Sequence, residues 1–304
     1  EVYPPGSVFK IMLAAAGLEE NLINAGTRFH CSGSYAIDGK GRRWNCWNRH
    51  GHGSLNVVES LAFSCDVFFY SLGRRLEVDR IVAYSKLMGL GVPTGIDIAG
   101  ESAGLIPGRE WKAAMHADKP AWEKQWYPGE TVNLSIGQGS CTTTPLQVTV
   151  MMACIVNGGY RVQPFLRQEA GPKRSEKLFS DTTIKTVTEG LRMCVERKKP
   201  APTGTGTRAY IDGMDIIGKT GTAQVASLSF LSKNKKTEDI PYPLRHHAWF
   251  TAGVLDRTPR IAVTVLIEHG HAGGSVAAPV ARDVIEYFYN HAATKPSYTI
   301  TAGN

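Results

Sequence analysis

Residues 216–225 read IIGKTGTAQV, and two similar runs follow: HAWFTAGVL from His247 to Leu255 and IAVTVLIEH from Ile261 to His269. Each is short, rich in β-branched and aromatic residues, and bounded by turn-forming segments, which is the composition of strands. Behind them comes a helical run, APVARDVIEYFYN from Ala278 to Asn290. Ahead of them the periodic segments are helical: VFKIMLAAAGL, VVESLAFSCDVFFYSLGRRL, DRIVAYSKLMGL and PLQVTVMMACIV. The last of these has Thr144 as a cap, Pro145 at the first helical position and Asn157-Gly158-Gly159 as a stop. Strands gathered late, between helices, predict an α+β fold with an antiparallel sheet flanked by helices.

The first strand carries Gly218-Lys219-Thr220-Gly221-Thr222, small residues around one lysine. A second lysine stands out in EVYPPGSVFK, Glu1 to Lys10. Pro4, Pro5 and Gly6 cannot extend a helix backward, so Ser7 sits at its mouth. Ser7 and Lys10, at i and i+3, share a helix face. Residues 7–18 are apolar on nearly every side, which predicts a buried helix and leaves Lys10 without an evident route to water. Lys10 can snorkel outward while Ser7 caps the helix. Alternatively, burial strips the lysine of its proton and makes it the base that activates the serine.

Composition narrows the class. The chain has 304 residues, 42% hydrophobic and 20% charged, enough for a full core in an ordinary globular protein. No apolar run approaches the roughly 18 residues of a membrane span, and no signal-peptide pattern is expected in this stretch. The net charge of +7 includes clusters at Arg197 to Lys199 and Lys233 to Lys236. Neither interleaves aromatic residues and no nucleic-acid motif accompanies them, so they read as solvated faces; no nucleic-acid partner is expected, and an anionic membrane surface is the more natural neighbour. The connection from Ser227 to Leu244 is long for a hairpin and is expected at the rim of a site.

A further short pattern, Ser64-Cys65-Asp66, lies in the helical run AFSCDVFFY. Ser-x-x-Lys, Ser-x-Asp and Lys-Thr-Gly are each weak alone, but their order is specific. Together with YPPGSVFK, NLSIGQGSCTTTPLQ and GKTGTAQV, they make the chain resemble the transpeptidase domain of class B penicillin-binding proteins, in particular the elongation-type penicillin-binding protein 2 group. The resemblance spans almost the whole chain.

It implies a penicillin-binding protein/serine β-lactamase-like fold with an all-helical subdomain, residues 1–304 forming one transpeptidase domain. The first part of that fold, a pedestal domain and a membrane anchor would then belong upstream of Glu1. It also implies a D,D-transpeptidase that crosslinks peptidoglycan stem peptides through a serine acyl-enzyme and is trapped by β-lactams, at the periplasmic face of the inner membrane. A RodA-type glycosyltransferase and an MreC-type scaffold are the implied partners.

In those roles Ser7 attacks the peptide carbonyl and Lys10 takes its proton. Ser64 relays protons between Lys10, Lys219 and the leaving amine. Lys219 supplies positive charge, and Thr220 and Thr222 bind the substrate carboxylate. The backbone N–H groups of Ser7 and Thr222 form the oxyanion hole, and Gly218 and Gly221 let the substrate approach the strand. Asp66 stands where many relatives have Asn, which bears on the bond to the substrate amide. The rival readings are a serine β-lactamase or D,D-carboxypeptidase, with Glu130 in ETVNLS as the loosely matching deacylation base, and a β-lactam-sensing module without catalysis.

Between the first two motifs, residues 27–56 are rich in Gly, Ser, Asn, Cys and His without periodicity and read as an irregular excursion. Cys31 and Cys46 lie there with His30, His50 and His52, and Cys65 follows in the second motif. A Cys31–Cys46 disulfide, unrelated free thiols and a Cys3His structural zinc site all fit the residues. The resemblance favours zinc, because penicillin-binding protein 2 relatives carry it between these motifs on Asp, His and Cys ligands. Cys31, Cys46, His52 and Cys65 match that set in order, with Cys in the first two places instead of Asp. Zinc is then structural, and the chemistry needs no cofactor. Cys154, in an apolar helical run, reads as a buried small hydrophobe.

Overall fold

The computed structural model describes residues 1–39, 41–167, 171–197, 204–224 and 240–292. Most of the connection expected at the site rim and most of both basic clusters lie outside these residues. Gly6–Phe9 forms a 3-10 turn that runs directly into α1, Lys10–Glu19. Every residue from Val8 to Ala16 is fully buried, because α1 lies between the helices Asp66–Leu87 and Asp181–Val195.

The excursion is more ordered than its sequence suggests. β1 (Phe29–Cys31) pairs with β4 (Gly53–Leu55), and β2 (Ser34–Ala36) pairs with β3 (Arg43–Asn45), both antiparallel. Strands of three residues are too short to show an alternation in sequence, which is why the segment reads as irregular.

α2 (Val57–Ala62) starts at an Asn56/Glu59 capping box, and α3 covers Asp66–Leu87. The expectation of an unbroken helical run through Ser64-Cys65-Asp66 is therefore corrected. Ser64 has φ 54°, a left-handed conformation that no helix interior accepts, and the motif forms the break between α2 and α3. A second left-handed residue, Glu77, kinks α3. α4 (Arg109–Met115), α5 (Ala121–Lys124), α6 (Pro128–Leu134) and α7 (Pro145–Val156) complete the helical part. α7 begins and ends where its sequence signals say: the Thr144 side chain accepts from Gln147 N, and Asn157 is the C-cap.

A small hairpin, β5 (Tyr160–Gln163) with β6 (Lys173–Lys177), leads to α8, Asp181–Val195. The sheet then follows as β7 (Ile216–Ala223), β8 (His247–Val254) and β9 (Ile261–Ile267), antiparallel in the order β7-β8-β9. Its two faces follow the period of two. Ala248, Phe250, Ala252 and Val254 pack with Ala278, Ala281 and Ile285 of α9, Ala278–Tyr287. Ile217, Ala223 and Trp249 join the helical core that contains α1. Lys219 alternates with the first set and so shares the face of Ile217, toward the helices. Among the described residues no helix is long and apolar enough to cross a membrane.

Candidate active site

The chain enters α1 through a turn pressed against β7. Gly6 has φ 55°, and a Cβ there would lie 2.5 Å from Thr222 O, so only glycine lets the turn approach the strand. Ser7, the next residue, faces a cleft of about 990 Å³ whose lining includes Ser64, Asp66, Thr220, Gly221 and Thr222. All three motifs meet there although they are far apart in the chain. Among the described residues the Ser7 hydroxyl has no hydrogen-bond partner.

Lys10 has no exposed surface. Its Nζ donates to Ser64 O at 2.9 Å, to Ser64 Oγ at 3.3 Å and to Asp66 Oδ1 at 2.5 Å. Neither snorkelling nor a helix cap therefore describes this pair: the lysine is buried against the second motif, and Ser7 makes no capping bond. The other carboxylate oxygen, Asp66 Oδ2, accepts from Trp47 N at 2.9 Å and ties the excursion to the same group. The strained backbone at Ser64 aims both its carbonyl and its hydroxyl at Lys10.

Lys219 is also fully buried and donates to Thr220 O at 3.1 Å. Burial pulls its pKa down to about 7, with the neighbouring Lys10 adding to the depression. Of the two buried amines, only Lys10 is ion-paired with Asp66 among the described residues, and Lys219, bonded to Thr220 O, is the one whose charged form burial disfavours. Thr220 Oγ1 lies 2.7 Å from Thr205 Oγ1. Gln138 Nε2 donates to Thr222 O at 3.4 Å, which holds the strand edge beside Ser7.

Thr205, Gln138, Trp47, Arg208 and His246 line the cleft and were not singled out from sequence. Only Thr205 left a usable trace: Gly204-Thr205-Gly206-Thr207 echoes the Thr-Gly-Thr of the third motif. Glu130, by contrast, is absent from the lining. Its carboxylate pairs with Lys112 at 2.5 Å and accepts from Tyr127 N at 2.8 Å at the start of α6.

Beside the cleft, the donor atoms of Cys31, Cys46, His52 and Cys65 all lie within 4.8 Å of one another. His52 Nδ1 is 3.6 Å from Cys31 Sγ and 3.5 Å from Cys46 Sγ. Zinc–sulfur bonds of about 2.3 Å set the sulfurs of a tetrahedral site about 3.8 Å apart, so the donor set and its spread fit zinc. All six cysteines are free, so Cys31 and Cys46 form no disulfide, and His30 and His50 point to solvent outside the cluster. A hydrogen bond with Cys65 holds the Cys46 thiol well below the usual thiol range and pushes Cys65 up, while burial pushes Cys31 up. Cys154 is fully buried among apolar neighbours, as expected.

Residues 1–286 match the family model of the penicillin-binding protein transpeptidase domain. Peptidoglycan D,D-transpeptidase MrdA of Haemophilus influenzae is 34% identical over 95% of this chain and 44% of its own length. Penicillin-binding protein 2 of Pseudomonas aeruginosa, solved in complex with WCK 5153, superposes with a TM-score of 0.77 at 31% identity, over 94% of this chain and 59% of that one. Penicillin-binding protein 2 of Helicobacter pylori, solved in complex with MreC, gives 0.80 at 27% identity, over 95% and 50%. The chain thus spans about half the length of these relatives. Its α+β architecture is that of the penicillin-binding protein fold, and with the three motifs converging on one cleft the chain belongs to the penicillin-binding protein transpeptidase domain family.

Proposed function

We propose that this chain is the catalytic domain of a peptidoglycan D,D-transpeptidase of the elongation type. The observation that carries the reading is the convergence of Ser7, Ser64, Asp66 and Thr220 to Thr222 on one cleft, with the buried Lys10 bonded to Ser64 and Asp66. Ser7 Oγ attacks the carbonyl of the penultimate D-Ala, its proton passes into the Lys10/Lys219 pair, and the carbonyl carbon becomes tetrahedral. Ser64 Oγ, 3.3 Å from Lys10 Nζ, returns a proton to the amine of the departing terminal D-Ala. An amine from a neighbouring stem peptide then attacks the acyl-enzyme, Ser7 regains its proton, and a crosslink remains. Backbone N–H groups of Ser7 and Thr222 receive the charge that develops on the carbonyl oxygen. Thr220 and Thr222 hold the terminal carboxylate, with Gly221 allowing the close approach.

Water is the wrong acceptor for this site. A β-lactamase needs a base for deacylation, and Glu130 is committed to Lys112 and Tyr127. Cys31, Cys46, His52 and Cys65 would hold a structural zinc ion, which would fasten the excursion to the start of α3 and leave the chemistry to the side chains of the cleft. By resemblance the domain works at the periplasmic face of the inner membrane, with a RodA-type glycosyltransferase and an MreC-type scaffold as partners; the MreC complex of the Helicobacter pylori relative supports the latter.

Intact-mass measurement after penicillin treatment tests the reading: one stoichiometric adduct on Ser7, lost in Ser7→Ala, together with transfer of a donor stem peptide to an amine. Sustained nitrocefin turnover would point to a β-lactamase, and an adduct without any transfer would point to a sensor.

A further inference from the structure

The cleft has two walls of different character. One is β7 with its threonines; the other is the excursion, which contributes Arg42, Arg43, Trp47 and Arg49. Arg208 adds a guanidinium on the β7 side, where its Nη1 donates to Ser275 O at 2.9 Å. Asp66 is the one carboxylate among the described lining residues, and Lys10 already neutralises it at 2.5 Å. Among the described residues none of the four arginines has an acidic partner. Arg42 stacks over Trp44 at 5.2 Å, Arg43 donates to Ser34 Oγ at 3.0 Å, and the Arg49 side chain makes no hydrogen bond among the described residues.

This charge is held on a firm frame. Arg43 opens β3, Trp44 Nε1 donates to Asn133 Oδ1 at 3.0 Å, and Trp47 is pinned through Nε1 to Phe63 O at 3.0 Å and through its N–H to Asp66. Trp47 nevertheless leaves 58% of its surface open in the cleft lining. Unpaired guanidiniums along a cleft wall focus a positive potential into it, and their forked donors match carboxylates. Arginines that merely kept the surface soluble would have no reason to line the same cleft as the nucleophile.

We infer that Arg42, Arg43 and Arg49 form a specificity site for a donor peptide carrying a free side-chain carboxylate upstream of the bond Ser7 attacks, separate from the terminal carboxylate at Thr220 and Thr222. The inference rests on the transpeptidase reading and adds the chemical class of its donor. It gives a reason for the excursion to be fastened beside the second motif through Trp47, at Asp66 Oδ2 and Phe63 O.

The test uses two donor peptides ending in D-Ala-D-Ala, alike except that the upstream side-chain carboxylate is free in one and amidated in the other. kcat/KM for D-Ala release is measured on the full-length protein. The acid donor is favoured about tenfold by the wild type, and the preference shrinks as salt is raised, because the three arginines are exposed to screening. In R42Q/R43Q/R49Q the ratio falls to within about twofold of unity. The penicillin adduct on Ser7, read by mass, verifies that each variant keeps its nucleophile. Equal rates for the two donors in the wild type overturn the inference, as does a preference that survives the triple substitution. A wild-type protein that forms no adduct and releases no D-Ala overturns the transpeptidase reading, and this inference with it.

Discussion

Asp66 connects groups that the sequence keeps apart: Lys10 of the first motif through Oδ1 and Trp47 of the excursion through Oδ2. With Lys10 fully buried and Asp66 only 8% exposed, water cannot replace the lost partner if the pair is broken. Asp66→Asn keeps the shape but leaves a buried amine without its counter-charge, and a loss of about 3 kcal/mol in urea unfolding is expected; unchanged stability would show that the pair is not formed in solution. Lys219 makes a pH prediction. Its folded pKa, about 7, lies below the ordinary lysine value, so between about pH 7 and pH 10.5 the unfolded chain binds a proton that the folded chain does not. Stability from this residue therefore rises with pH across that window and is lost as pH falls toward 7. In Lys219→Met that slope disappears, so the variant gains on the wild type by on the order of a few kcal/mol near pH 7 and converges with it above about pH 10.5. Parallel urea midpoints of the two proteins across the window would contradict the assignment. The identities of these residues were legible in the sequence; the partner of Lys10 was not, because the hydrogen bond spans the distance between two motifs.

At the scale of elements, the decisive contact is between the 3-10 turn at Gly6–Phe9 and β7. Gly6→Ala forces a Cβ to within 2.5 Å of Thr222 O in a left-handed conformation, so the turn must move and take Ser7 with it. Penicillin acylation of Ser7 is expected to fall about a hundredfold, since displacements near 1 Å are enough to cost that much. Stopped-flow acylation rates decide the point, and a rate within about twofold of wild type would mean that the turn tolerates the shift. Elements with strong local signals were legible: α7 has its capping threonine, first-turn proline and glycine stop, and β7 to β9 have their β-branched runs. The break at Ser64 was not, because the apolar run AFSCDVFFY continues across it and only the left-handed backbone interrupts the helix. The hairpins β1/β4 and β2/β3 escaped for the opposite reason, having too few residues to express any period.

On the scale of the whole molecule, the excursion, the second motif and the helical core form one mechanical unit. Cys65 precedes Asp66, Cys46 precedes Trp47, and the four donor atoms meet beside the cleft, where the proposed zinc would tie these segments together. Removing metal is therefore expected to lower the melting temperature by on the order of 10 °C and to slow penicillin acylation in the same samples. Cys46→Ser should reproduce both effects. A melting curve unmoved by chelation in a protein shown to be metal-free would contradict the zinc site, and a drop in stability with full acylation would separate the anchor from catalysis. By itself the sequence determined the fold class and the helix and strand boundaries that carry caps and periods, and its three short motifs carried the resemblance that implied the reacting side chains and the four candidate metal ligands. The elements follow from residue type and from spacing along one stretch, which local geometry translates directly into structure. Tertiary structure alone decided the ion pair of Lys10 with Asp66, the strained turn at Ser64, the commitment of Glu130 to Lys112, and the arginine wall opposite β7. Each of these depends on which distant segments packing brings within a few ångströms, and no local period records that distance.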